Sequence, residues 1–176
     1  MRRILLSCAI LVVLTLPAAT ASAGADTTPS AGFVVLRNAA NRPLSGSPFL
    51  ILVVHGFVLG SVKPRNEARV DIVQLPSQGN QGAPVAAGPD RTQTIRWHGF
   101  TGQRFSGSGF RFRAMGGYYR VVVRGSGVYL YAGGHGRIVS LRGSSFDRGA
   151  DGSYSIDDSR FRSLPTRPLT RTIGRG

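Results

Sequence analysis

Few side chains in this 176-residue chain are equipped for chemistry, and their spacing excludes more than it suggests. The three histidines are His55, His98 and His135, and none stands beside another histidine or an acid at metal-motif spacing. His55 lies in an apolar run and reads as a hydrogen-bonded core residue. His98 follows Trp97 near a strand end, and His135 falls in the loop GGHG. No serine has the G-x-S-x-G setting of a nucleophile elbow; Ser108 and Ser126 sit in SGSG and RGSG and read as turn residues. A phosphate loop of the G-x-x-x-x-G-K-[ST] type is missing, since Lys63 is the only lysine and proline follows it. Eight scattered acids offer few of the close carboxylate pairs that glycoside hydrolysis needs. The expectation is a protein that is not an enzyme, unless histidines and acids converge in space on a site that spacing does not reveal.

Four of the eight acids lie in DRGADGSYSIDD, residues 147–158. Set against the calcium loop D-x-[DN]-x-[DN]-G, Asp147, Asp151 and Gly152 take positions one, five and six, and Asp158 takes position twelve. Position three is Gly149, which has no side-chain ligand, and no helices flank the loop. Asp147, Asp151 and Asp158 therefore offer at most a weak calcium site, and the competing reading is a hairpin turn with acids that offset nearby arginines. No other cofactor is expected.

Positive charge dominates the composition. The chain has 22 Lys+Arg against 8 Asp+Glu, a formal net charge of +14. Every base except Lys63 is an arginine. Guanidinium groups bind carboxylate and phosphate through a fork and stack on rings, which a lysine ammonium does not do. Such a field favours polyanions: wall polymers, acidic polysaccharide, nucleic acid or an anionic membrane. The competing reading is compositional bias in an Arg-, Gly- and Ala-rich chain.

These residues need elements to carry them, and the elements are strands. Short apolar stretches alternate with Gly, Pro, Asn and Ser at 33–37, 49–62, 69–75, 93–98, 110–115, 119–125, 128–132, 137–142 and 153–156. No stretch keeps a 3.6-residue apolar period with caps. The fold class is all-β, an antiparallel sandwich or small barrel. The run PFLILVVHGFVLGSV (48–62) reads as a long central strand bent near Gly56, and Pro/Gly-rich residues 76–92 read as a loop. Gly116-Gly117 and Ser126-Gly127 each fit a two-residue hairpin loop. Those loops would set Arg113 opposite Arg120, Arg124 opposite Tyr129 and Val122 opposite Tyr131. Arg111, Arg113, Arg120, Arg124, Tyr129 and Tyr131 would then share one outer face, a candidate polyanion surface using ionic forks and stacking. The plainer reading of that face is a solvated sheet surface.

The segment YYRVVVRGSGVYLYAGGHGRIVSLRG, followed by DGSYSIDDSRFRSLPTRP, resembles uncharacterised secreted all-β proteins of high-GC Gram-positive bacteria. The shared pattern is R-V-x-V-R-G-x-G, then A-x-G-x-G, then a D-G-x-Y-S turn and a proline-containing end. Ala132, Gly134 and Gly136 match the middle element, and Asp151, Gly152, Tyr154 and Ser155 match the turn. The likeness covers residues 110–168; Asp158 stands where the pattern has glycine. It implies secretion and an all-β fold, and no activity.

The beginning of the chain carries the same expectation. Arg2 and Arg3, the apolar run Ile4–Leu16 and Ala21-Ser22-Ala23 have the layout of a cleaved signal peptide over residues 1–23. The run is short for a membrane span, which needs about 20 apolar residues. Cys8 is the only cysteine, so the processed chain would have none and would depend on a hydrophobic core. Residues 24–32 read as a polar leader, 33–165 as one β domain, and 166–176 as a basic disordered tail. The expected function is a secreted or wall-associated non-enzymatic β domain that binds anionic envelope polymers, with a small barrel holding an apolar ligand as the alternative.

Overall fold

The computed structural model describes residues 31–38, 49–78, 81–143 and 152–174. They form eleven strands and, among the described residues, no helix: β1 (Gly32–Asn38), β2 (Leu50–Val62), β3 (Ala68–Leu75), β4 (Val85–Ala87), β5 (Arg91–Trp97), β6 (Phe100–Gly107), β7 (Arg111–Gly125), β8 (Val128–Leu141), β9 (Gly152–Ile156), β10 (Arg162–Ser163) and β11 (Leu169–Ile173). All pair antiparallel in one sheet, in the order β10-β9-β1-β8-β2-β7-β3-β6-β5, with β11 also on β8 and β4 also on β7. The path ends at β10 and β5, so the sheet is not closed into a barrel. The all-β antiparallel class is as the sequence predicts; the barrel is not.

Three long strands organise the sheet. β2, β7 and β8 run 13, 15 and 14 residues, more than twice a typical strand of about 5–6 residues. Their middles meet at glycines: Gly56 pairs with Gly117 on one side and with Gly134 on the other. A Cβ on Gly56 would lie 2.1 Å from the Gly133 carbonyl oxygen, and one on Gly134 would lie 2.1 Å from that of His55. Both glycines also have left-region φ values, +154° and +134°. Only glycine lets the three backbones bend together here.

Across this line the neighbours change. The first half of β8 pairs with β1, and the second half with β11. The first half of β7 pairs with β4, and the second half with β3. The sheet thus folds into two layers that share the three bent strands, as strands that switch sheets do in sandwich corners. One layer, the β1 layer, holds β10, β9, β1 and β4; the other, the β3 layer, holds β11, β3, β6 and β5. On β2 the even-numbered side chains Leu50, Leu52, Val54, Val58 and Val62 are buried on both sides of the bend. The same face of both layers therefore turns inward. Val34, Leu36, Val70, Ile72, Phe110, Phe112, Tyr119, Val121, Val123, Leu130 and Ile138 complete this core.

Two expected hairpins are corrected by this arrangement. Gly116-Gly117 is no turn: β7 continues through it, with Gly117 opposite Gly56 and Ala114 opposite Val58. The extra residue on β7 is a β-bulge, which moves the inward set from Phe112 and Ala114 to Tyr119, Val121 and Val123. Nor does Ser126-Gly127 join neighbouring strands, because β2 lies between β7 and β8. These two residues step instead from one layer to the other, beside the β2–β3 connection. Lys63 N–H donates to the Gly127 carbonyl, Ser126 N–H to the Glu67 carbonyl, and Gly127 N–H to Asn38 Oδ1.

Two further boundaries differ. Residues 85–87 of the expected 76–92 loop form β4, and residues 169–173 of the expected tail form β11, which buries Ile173 against β8. The signal-peptide segment, like Asp147 and Asp151, lies outside the described residues.

Candidate functional site: two outer faces

The fold divides the six arginines and tyrosines singled out in the sequence. Arg111 and Arg113 lie on the first half of β7, and Tyr129 and Tyr131 on the first half of β8, all on the outer face of the β1 layer. Arg120 and Arg124 follow the bulge and point outward from the β3 layer. The expected Arg113–Arg120 and Arg124–Tyr129 pairings do not form. Arg113 lies between Leu59 and Val85, Arg120 between Val53 and Val73, and Tyr129 beside Arg37 and Ser61.

On the β3 layer the register sets outward residues in rows across the strands. One row runs Arg91–Ser106–Arg69–Arg124, the next Gln93–Arg104–Asp71–Val122, and the next Ile95–Gly102–Val73–Arg120–Val53–Arg137. Six arginines from five strands thus share one face. The alternation in ARVDIVQL, with Val70 and Ile72 turned inward, places Arg69 and Asp71 there. It was open to reading in the sequence, but Arg69, Arg91, Arg104 and Arg137 were not singled out. A groove of about 570 Å³ at one end is lined by Arg69, Arg91 and Arg124 together with the acids Glu67 and Asp90.

Asp71 is the carboxylate enclosed within this face. Arg104 grips it with two bonds, Nε to Oδ1 at 2.7 Å and Nη2 to Oδ2 at 2.9 Å, and Arg124 Nη1 reaches Oδ2 at 3.3 Å. The hydrogen bonds to Asp71 push the Arg104 guanidinium further up. Arg120 moves the other way: burial lowers it, the Arg124 charge adds to this, and Asp71 only partly opposes them. Its guanidinium lies 4.4 Å from the centre of the Trp97 ring, a cation–π contact missed in the sequence. Gly102, between Val73 and Ile95 in the register, lies so close to β3 that a Cβ there would stand 2.5 Å from the Ile72 carbonyl oxygen. Arg69 stands directly opposite Arg124, a like-charge pair that a sheet does not favour without an anion.

Two of the three histidines face each other across β2 and β8, and the third stands in a separate turn. His98 and Gly99, at φ +46° and +84°, make the turn between the paired residues Trp97 and Phe100. His55 is exposed on the outer face rather than in the core, edge-on to Tyr118. His135 lies within β8 rather than in a loop, directly opposite His55. Among the described residues no three His, Cys, Asp or Glu side chains form a metal-binding group. Of the three candidate calcium ligands, Asp147, Asp151 and Asp158, only Asp158 is described. It shares a turn with Asp157, both at positive φ, and the neighbouring Asp157 Oδ1 accepts hydrogen bonds from Phe33 N–H and Gly174 N–H.

The outer face of the β1 layer has a different character. Phe33 and Tyr131 stack at 5.7 Å with ring planes 3° apart, and Phe57 meets Tyr131 at 5.4 Å. Gly133 lies between Phe33 and Phe57 in the register, and both rings lean over it. Arg37 extends over Tyr129 on one side and Phe161 on the other. An open antiparallel sheet with one basic and one aromatic outer face is what the geometry defines. No protein-family model, no curated protein and no solved structure matches the chain.

Proposed function

We propose that this chain acts outside the cell as a non-enzymatic β domain that holds an anionic polymer of the cell envelope on the outer face of its β3 layer. The supporting observation is the collection of Arg69, Arg91, Arg104, Arg120, Arg124 and Arg137 on one face around a single enclosed carboxylate, Asp71. A repeated phosphate or carboxylate running across the strands would meet guanidinium forks from several of them. Trp97, with Arg120 held over it, adds a ring at the far end of the same face. The signal-peptide layout and the resemblance to secreted proteins support the extracellular setting.

The test is retention on heparin and on phosphate-rich wall polymer as salt rises. Tight retention at low ionic strength, fading steeply with salt as surface charges are screened, is the expected result. Arg69→Glu with Arg91→Glu should elute at much lower salt while keeping the wild-type circular dichroism. No retention of the wild-type protein at low ionic strength would remove the proposal.

A further inference from the structure

The exposed apolar side chains lie on one side of the molecule. Leu59, Val85, Met115, Tyr129 and Phe161 are the large hydrophobic residues that stand exposed among the described residues, each between 38% and 48% accessible. Leu59 and Tyr129 point outward from the β1 layer, Val85 and Met115 follow the same parity on β4 and β7, and Phe161 lies against Arg37 of β1. A concentration of this kind on a folded chain marks an interaction surface. The described strand residues facing outward here include Arg37, Arg111 and Arg113 and no acid, and no carboxylate lies within ion-pair distance of these arginines among the described residues.

We propose that the outer face of the β1 layer docks on an anionic lipid bilayer. This goes beyond the polymer reading, which concerns the opposite face. Charge selects the partner: a second copy of this chain would set these arginines against their own counterparts, whereas an anionic headgroup layer neutralises them. Tyrosine has an apolar body and a polar tip suited to the headgroup level, where Tyr129 and Tyr131 would lie. The strands of the layer are hydrogen-bonded to their neighbours and only the outer edges of β10 and β4 are unpaired, so a face-on approach meets side chains and not a row of backbone donors. The shallow groove of about 390 Å³ between β4 and β7, with Leu59 and Val85 beside Arg111 and Arg113, gives one headgroup phosphate a seat above an apolar floor.

The experiment uses vesicles of phosphatidylcholine with and without phosphatidylglycerol, sedimented with the full chain. Binding should require phosphatidylglycerol and fall about tenfold in Leu59→Ser with Val85→Ser, from the lost apolar burial. Because the β3 layer is also basic, orientation is read separately with brominated lipid. Trp97, on the far face, should keep its fluorescence; a Tyr129→Trp probe in a Trp97→Phe background should be quenched. Quenching of Trp97 without quenching at position 129, or no binding to phosphatidylglycerol vesicles, would overturn the proposal. Arg69→Glu with Arg91→Glu should leave quenching at position 129 intact, which separates failure here from failure of the polymer reading.

Discussion

Removing the Asp71 carboxylate would leave Arg104 and Arg124 without the charge that draws them together on the β3 layer. Three charge-assisted bonds converge on this buried group, and hydrogen bonds to charged groups are worth about 1.5–3 kcal/mol each when intact. Both arginines are about a third exposed, which screens them. Asp71→Asn should therefore lower unfolding stability by about 2 kcal/mol, measured by urea titration. Tyr119 makes a second residue-level case. Its side chain is fully buried, and its one hydroxyl proton is shared between the carbonyls of Gly82 and Met115, each at 2.6 Å. Burial pushes the phenol above its ordinary value of about 10. A raised folded value means that the stability held by the neutral phenol is intact below about pH 10 and is lost as pH climbs through the folded value. Urea midpoints should fall with this onset in the wild type, and Tyr119→Phe should remove that part of the alkaline decline.

The bend in the three long strands decides what each strand half can do. Gly134→Ala would force a Cβ against the His55 carbonyl at a left-region φ, adding about 1–3 kcal/mol of overpacking to about 1–3 kcal/mol of backbone strain. Gly99→Ala, at φ +84° with open space around it, should show the strain alone. Thermal unfolding of the two variants, with Gly134→Ala much the worse, checks the fold line. The alternation of β2 and the glycine at its centre made the bend near Gly56 legible in sequence. The register of β7 was not. Gly116-Gly117 suits a hairpin loop and a bulge equally, and what chooses the bulge is β2, about 60 residues earlier, which pairs with both sides of it. Strand β6 (FTGQRFSG) was missed because Phe105 is its main apolar anchor and Gly102 and Gly107 interrupt it. Strand β11 was missed because one buried side chain, Ile173, gives a short basic segment its place.

At the scale of the molecule, one sheet folded on its glycines has two outer faces that the sequence merged into one. Arg111 and Arg113 precede the bend in β7 and Arg120 and Arg124 follow it, so one strand delivers them to different sides while the bulge keeps both pairs facing outward. The candidate site in the sequence thus took a part of each face, and the four arginines that complete the basic one come from β3, β5, β6 and β8. This division is the central claim, and it can be read directly by chemical modification of arginine with phenylglyoxal, followed by peptide mass spectrometry, with and without bound anionic polymer. The account predicts protection at Arg69, Arg91 and Arg137 with Arg111 and Arg113 reacting as before. Protection concentrated at Arg111 and Arg113, or spread evenly over both faces, would contradict it.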